Sequence, residues 1–271
     1  MRALEMRALG ILLAATALMS SPALAAQVGN IPHVGDVPGA TEPPAILNPQ
    51  LSIEIAQGVD NPFRSVNDRP FDVTRRPGPT LNFSGVIWAD KIIELAPSDG
   101  YWSMLLYSAA GPMGRPYLYT PKATDPVKAF ARGAGGARLI ERPLNDVSVP
   151  EHTDIVWSFD NWHEFHNPGP LQADVPTMLR KLYLSLKPGG TLFIVDYAAA
   201  PGAPMTVTQT LGRIDPAVVV KEVQAAGFQF ASSSNLMANP TDPHTAPAAS
   251  MGDKADRMML KFVKPGESGA L

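Results

Sequence analysis

Cysteine is absent from the 271 residues, which excludes disulfides, thiolate nucleophiles and cysteine-ligated zinc together. An excess of charge of one sign is lacking too. The 22 Lys and Arg against 25 Asp and Glu leave a formal charge of −3, without the basic footprint of a nucleic-acid binder. There is no Gly-Lys-Ser/Thr phosphate loop, no Gly-x-Ser-x-Gly elbow and no His-Glu-x-x-His pair, which argues against a P-loop nucleotidase, a serine hydrolase and a zincin. The apolar run at 8–19 is too short to cross a bilayer comfortably. It follows Arg2 and Arg7 and precedes Ala23-Leu24-Ala25, the order of a signal peptide. Residues 1–25 are therefore expected to be removed near Ala26. The mature protein is expected in the periplasm or outside the cell, with no membrane attachment after cleavage. The rival reading is an uncleaved N-terminal anchor.

Proline, at 28 residues, is above the usual share of about one in twenty. Much of it falls in 26–50, read as an extended leader. Residues 51–57 predict a short helix. The stretch 61–79 alternates Arg64, Arg69, Arg75 and Arg76 with Asp68 and Asp72, and reads as a solvated face of mixed charge.

The chain is organised around Lys91-Ile-Ile-Glu-Leu95, a buried strand, followed by the turn Ala96-Pro97-Ser98-Asp99-Gly100 and a helix opening at Tyr101. Strand, tight turn and helix make the mononucleotide-binding corner of an α/β sheet, with free N–H groups at the helix start. Further strands are expected at 116–120, 137–141, 153–159, 191–196, 228–232 and 257–263. Helices are expected at 125–132, 175–186 and 217–226, the second of them ended by Lys187-Pro-Gly-Gly190. Alternation of this kind predicts a doubly wound, mostly parallel sheet. The last two strands, joined without a helix, predict an antiparallel finish.

Leu186-Lys-Pro-Gly-Gly190, leading to a strand that ends in Asp196, resembles the late motif of class I S-adenosylmethionine-dependent methyltransferases, which have a Rossmann-like fold. Several pieces resemble an exported bacterial group described as predicted methyltransferases. They are Asp72-Val-Thr-Arg-Arg-Pro77, Asp160-Asn-Trp-His-Glu164, Asp196-Tyr-Ala-Ala-Ala-Pro201, Arg213-Ile-Asp215 and Asp256-Arg-Met-Met-Leu-Lys-Phe-Val-Lys-Pro265. The resemblance spans about 51–265, read as one methyltransferase-like domain with an N-terminal helical extension. It implies a cofactor, S-adenosylmethionine, held at Glu94, Ala96, Ser98, Gly100, Thr120, Asn145, Asp146 and Ser158. Ala96 and Ser98 stand where that family has glycine, and Thr120 stands where it has an acid for the ribose.

The densest polar cluster is Asp160-Asn-Trp-His-Glu-Phe-His166, after a buried strand, where open α/β sheets place ligands. His163 is the candidate general base, oriented by Asp160 or Glu164. The alternatives are a metal held with His166, or a structural loop; no metal is assigned. Tyr101 and Trp102 are pocket or core residues, Asp196 a pocket residue or a turn cap, and His244 part of a Pro-rich lid. Two functions follow: a methyltransferase acting on a small molecule, or a methyltransferase-fold protein that has lost the cofactor and binds a small molecule or acts without methylating. No nucleic-acid partner is expected.

Overall fold

The computed structural model describes residues 52–266; the expected signal peptide and the leader lie outside them. Seven strands form one sheet: β1 Lys91–Leu95, β2 Arg115–Thr120, β3 Arg138–Glu141, β4 Thr153–Phe159, β5 Leu186–Tyr197, β6 Gln229–Ser233 and β7 Arg257–Val263. Their order is β3-β2-β1-β4-β5-β7-β6. Pairing is parallel from β3 to β5, and β7 runs antiparallel to both β5 and β6. The doubly wound fold with an antiparallel finish is as expected. β7 lies inside the sheet, with β6 as its outer neighbour.

Continuous apolar runs specify this arrangement, because strands covered on both faces need apolar residues at every position. Ile92, Ile93 and Leu95 of β1 are all buried, as are Ile155, Val156 and Trp157 of β4 and Leu192–Val195 of β5. Alternate residues separate the faces. Ile92, Trp157, Phe193 and Val195 share a core with Leu105 and Leu106 of the helix Tyr101–Ala110, and with Ile55 and Leu81 of the N-terminal segment. Helices Val175–Ser185 and Pro216–Ala225 bury Met178, Leu182, Val219 and Val223. Asp215 begins the second of them by accepting from Ala217 N at 2.8 Å, a regular N-cap.

Two expectations need correction. Lys187–Gly190 does not follow a helix that runs to Leu186: the helix stops at Ser185, and β5 takes in Leu186 onward. A Cβ on Gly190 would meet Lys187 O at 2.9 Å and Asp154 O at 3.1 Å, so the motif permits close packing of β5 on β4. The stretch 61–79 is largely exposed, as expected of a solvated face, but Arg64 within it is not. Arg64 is buried and donates to Val59 O (2.7 Å) and to both carboxylate oxygens of Asp72, while Tyr101 Oη donates to Asp72 Oδ1 at 2.6 Å. Burial opposes ionisation of Asp72, but the bonds from Arg64 and Tyr101 outweigh it and hold its pKa below the usual carboxylate range.

The loop bearing His244, read above as part of a lid, is tied down at several points. Arg213, fully buried, donates to Ala246 O (3.0 Å) and Ala198 O (2.9 Å) and pairs with buried Asp242 at 2.8 Å. Asp256 accepts from Asn239 N at 2.7 Å and faces His244 Nε2 at 2.9 Å. The Arg213 and Asp256 motifs thus anchor one polar network. Among the described residues, no helix is long and apolar enough to cross a membrane.

Candidate functional site

The turn after β1 and the turn after β4 leave the sheet side by side at its carboxyl edge, because β1 and β4 are neighbours in parallel register, Leu95 opposite Ser158. Between them lies a cleft lined by Arg75, Glu94, Ala96–Asp99, Trp102, Phe159, Asp160 and Asn161, with about 40 Å³ of free space. Glu94 forms its floor. The side chain is 4% exposed, and Oε2 is enclosed with no hydrogen-bond partner. Burial pushes its carboxyl up to about 8. The Ser103 hydroxyl opposes that rise without a well-aligned bond to the acid, and the charge of Asp99 adds to it.

Backbone strain marks the two turns. Ala96 has φ +46° and Asp160 φ +55°, values that cost an L-residue about 1–2 kcal/mol. Ala96 therefore occupies a position whose conformation suits glycine. Gly100, at φ +80°, precedes the helix Tyr101–Ala110. Asp99 caps this helix by accepting from Tyr101 N at 3.0 Å and pairs with Arg75 at 2.9 Å.

Asn161 ties the edge together. Its Nδ2 donates to Leu95 O at 2.7 Å and Ala96 O at 3.3 Å, and its Oδ1 accepts from Ser158 Oγ. On the other flank Thr124 Oγ1 donates to Ser98 O at 2.6 Å.

The structure brings Glu94, Ala96, Ser98 and Asp160 to one cleft, with Gly100 behind it and Ser158 beneath Asn161. It does not bring the other expected cofactor residues there. Thr120 is buried at the end of β2 and donates to Lys122 O at 3.3 Å. Asn145 accepts from Asp174 N at 2.8 Å, holding the segment before the next helix. Asp146 closes the short turn Leu144–Asp146. Neither lines the cleft.

His163 also stands off the cleft, on the short turn of helix Trp162–His166. Its backbone N donates to Asp196 Oδ2 at 2.6 Å, and Nδ1 faces the same carboxylate at 2.9 and 3.1 Å. Asp196, not Asp160 or Glu164, is thus its orienting partner. This bonding selects the tautomer protonated on Nδ1 and leaves Nε2 as acceptor, with Gly212 beside it. Burial lowers the basicity of His163, but the charge of Asp196 and its hydrogen bond more than offset that, and the pKa is raised overall. Asp160 is instead held by Arg257 through two bonds of 2.9 and 3.0 Å. Arg257 in turn donates to Tyr197 Oη at 2.9 Å. Among the described residues, no group of three or more His, Asp or Glu side chains is gathered to hold a metal ion.

Sheet order, corner and site define a class I methyltransferase-type fold. No family model and no curated protein matches the chain in sequence. Solved structures do match in shape. A SAM-dependent methyltransferase from Aquifex aeolicus aligns with TM-score 0.53 and 13% identity, over 79% of this chain and all of its own. The N-methyltransferase NodS from Bradyrhizobium japonicum WM9 aligns with TM-score 0.52 and 12% identity, over 74% of this chain and 99% of its own. The [4+2]-cyclase SpnF aligns equally well, at 0.52 and 14% identity, over 73% of this chain and 81% of its own. At such identities the likeness shows the fold.

Proposed function

We propose that the protein is an S-adenosylmethionine-dependent methyltransferase acting on a small molecule, with the charged end of the cofactor at the Glu94 corner. The observation that carries this reading is the enclosed, unpartnered Glu94 carboxyl at the carboxyl edge of β1. An acid buried without a partner is costly, and that cost is recovered when a ligand brings a donor or a positive charge. The donor set fits the amino-acid end of the cofactor. When bound, the cofactor supplies a methyl group on a sulfonium centre. The chain's own part is to orient both reactants and, for an acceptor that extends past the cleft to Nε2 of His163, to take its proton there, with Asp196 holding the ring.

Titration calorimetry of the mature protein with S-adenosylmethionine and its demethylated product tests this. A complex with both ligands, lost in Glu94→Ala, is the expected result. Absence of heat with either ligand overturns it.

A second reading, a binding or non-methylating protein on the same fold, is favoured by one observation. The edge is drawn together by Asn161 and Thr124, leaving about 40 Å³, and β2 ends in Thr120 with no carboxylate for a ribose. The shared fold of a [4+2]-cyclase supports it. So does the proposed export, since S-adenosylmethionine is a cytoplasmic metabolite. A small molecule that binds wild type when the two nucleosides do not would favour this second reading.

A further inference from the structure

The sheet has a second and roomier hollow, at the edge where β1, β4 and β5 begin. This groove holds about 240 Å³ and is lined by Gly85, Ile87 and Asp90 ahead of β1, Asp154 of β4 and Lys187–Thr191 of β5. The proposed transfer reaction uses none of these residues. An apolar cavity of about 150 Å³ is enough to hold benzene, so the groove takes a ring with a short substituent. Bare backbone keeps it open, since a Cβ on Gly85 or Gly189 would meet nothing within 4 Å. Ile87, 63% exposed, and Pro188 supply apolar surface.

One charge in the groove lacks a counter-charge. Asp90 is only 7% exposed; Oδ2 accepts from Ile87 N at 2.9 Å, and Oδ1 receives no hydrogen bond among the described residues. The neighbouring acid is already satisfied. Asp154 accepts from Lys91 N at 2.8 Å and from Lys187 Nζ at 2.6 Å. The Lys91 ammonium donates instead to Met113 O at 2.5 Å. Both nearby cations are thus committed elsewhere. Burial pushes the Asp90 carboxyl up to about 6; the Ile87 N–H restrains the rise, Asp154 adds to it, and Lys187 and Lys91 oppose it. At neutral pH the group is therefore mostly ionised.

We propose that this groove is a second binding site, for a small organic ammonium with an apolar body, in which Asp90 receives the ammonium and Ile87 and Pro188 cover the body. The proposal does not depend on the methyltransferase reading, because no residue of the cleft lines the groove. An anion would have to draw Lys187 away from Asp154. A divalent metal ion needs several oxygen ligands, and with Asp154 engaged Asp90 is the one carboxylate left. A single positive charge on an apolar frame matches what remains.

Three probes of similar shape test this: 2-phenylethylamine, 2-phenylethanol and phenylacetate, carrying positive, zero and negative charge. Binding to the mature protein is followed by amide NMR, which also locates it. At pH 7.5 the amine should shift amides of 85–90 and 187–191 and spare Gly100 and Asn161, with a dissociation constant on the order of millimolar, as so small a ligand implies. It should bind about tenfold more tightly than the alcohol, the size of a hydrogen bond to a charged acid, and phenylacetate should bind least. Lowering the pH to 5 leaves about a tenth of Asp90 ionised, so affinity for the amine should fall about tenfold while that for the alcohol holds. Asp90→Asn keeps an acceptor for Ile87 N; it should bring the amine to the level of the alcohol and remove the pH dependence. Lys187→Gln leaves Asp90 in place and frees Asp154, so it should tighten the amine about twofold or more. Equal affinity for amine and alcohol in wild type, tightest binding of phenylacetate, or amine shifts confined to the Gly100 and Asn161 turns would each overturn the proposal. So would silence from all three probes.

Discussion

Glu94→Gln is the most informative single change, because its effect is tied to one proton. In the unfolded chain Glu94 titrates near 4.5, whereas burial in the folded chain carries it to about 8. Between those values the folded protein keeps a proton that the unfolded chain has lost. Stability therefore falls as pH rises through that window, by about 1.4 kcal/mol per unit for this group. Between pH 5 and pH 8 the loss is about 4 kcal/mol, a large share of a domain's usual margin of about 5–15 kcal/mol. Glutamine keeps the shape, also leaves a polar atom without a partner, and cannot ionise. The stability difference between variant and wild type should then be small near pH 4.5 and should grow in the variant's favour up to pH 8, levelling off above it. Urea unfolding at half-unit intervals measures this, with other titrating groups cancelling in the difference. A difference that stays flat from pH 5 to pH 8.5 refutes the assignment of Glu94 as an enclosed, uncompensated acid.

Ala96→Gly should stabilise by up to about 1 kcal/mol in urea, since glycine relieves φ +46° and gives back part of that in unfolded-state entropy. Asp99→Ala, at first sight a neutral surface change, should cost about 1 kcal/mol, because it removes the cap on Tyr101 N as well as the Arg75 pair. Arg213→Met should cost about 3–5 kcal/mol by leaving Asp242 charged and buried. Hydrogen exchange in 239–256 should rise with it. Asp196→Asn should slow methyl transfer to a protic acceptor and lower the apparent pKa of the rate, while cofactor affinity holds; an unchanged pH profile would show that Asp196 does not orient a base.

Much of the fold was legible because its signal is local. Lys91–Leu95, Thr153–Phe159 and Arg257–Val263 are short apolar runs bounded by turn residues, and all three are strands at those limits. The turn after β1 was legible for the same reason, down to the small residues that close approach demands. What could not be read was pairing across distance. Arg75 and Asp99 are 24 positions apart, Asn161 and Leu95 66 apart, and His163 and Asp196 33 apart. Composition made 61–79 look solvated, since four arginines and two aspartates carry no mark of which are enclosed. Only the fold shows that Arg64 and Asp72 satisfy one another under Tyr101. Asn145 and Asp146 occupy the expected place in the chain, but the Asn145 side chain points its acceptor at Asp174 N, a use that no spacing announces.

The hydrogen bonds along the edge of the cleft bear on what can enter it. Asn161 bonds to Leu95 O and Ala96 O, and Thr124 bonds to Ser98 O. A hydrogen bond of this kind contributes about 1 kcal/mol net, so breaking all three to admit a bulky ligand costs about 3 kcal/mol. That lowers affinity by about two powers of ten. A compact charged group at Glu94 need break none of them and meets an enclosed acid. A nucleoside attached to that group must then lie outside the drawn-together edge or open it. Affinity for the charged group and exclusion of the nucleoside are therefore separable properties of this site. The turns after β1, β2 and β4 control the second, while the enclosed acid Glu94 controls the first.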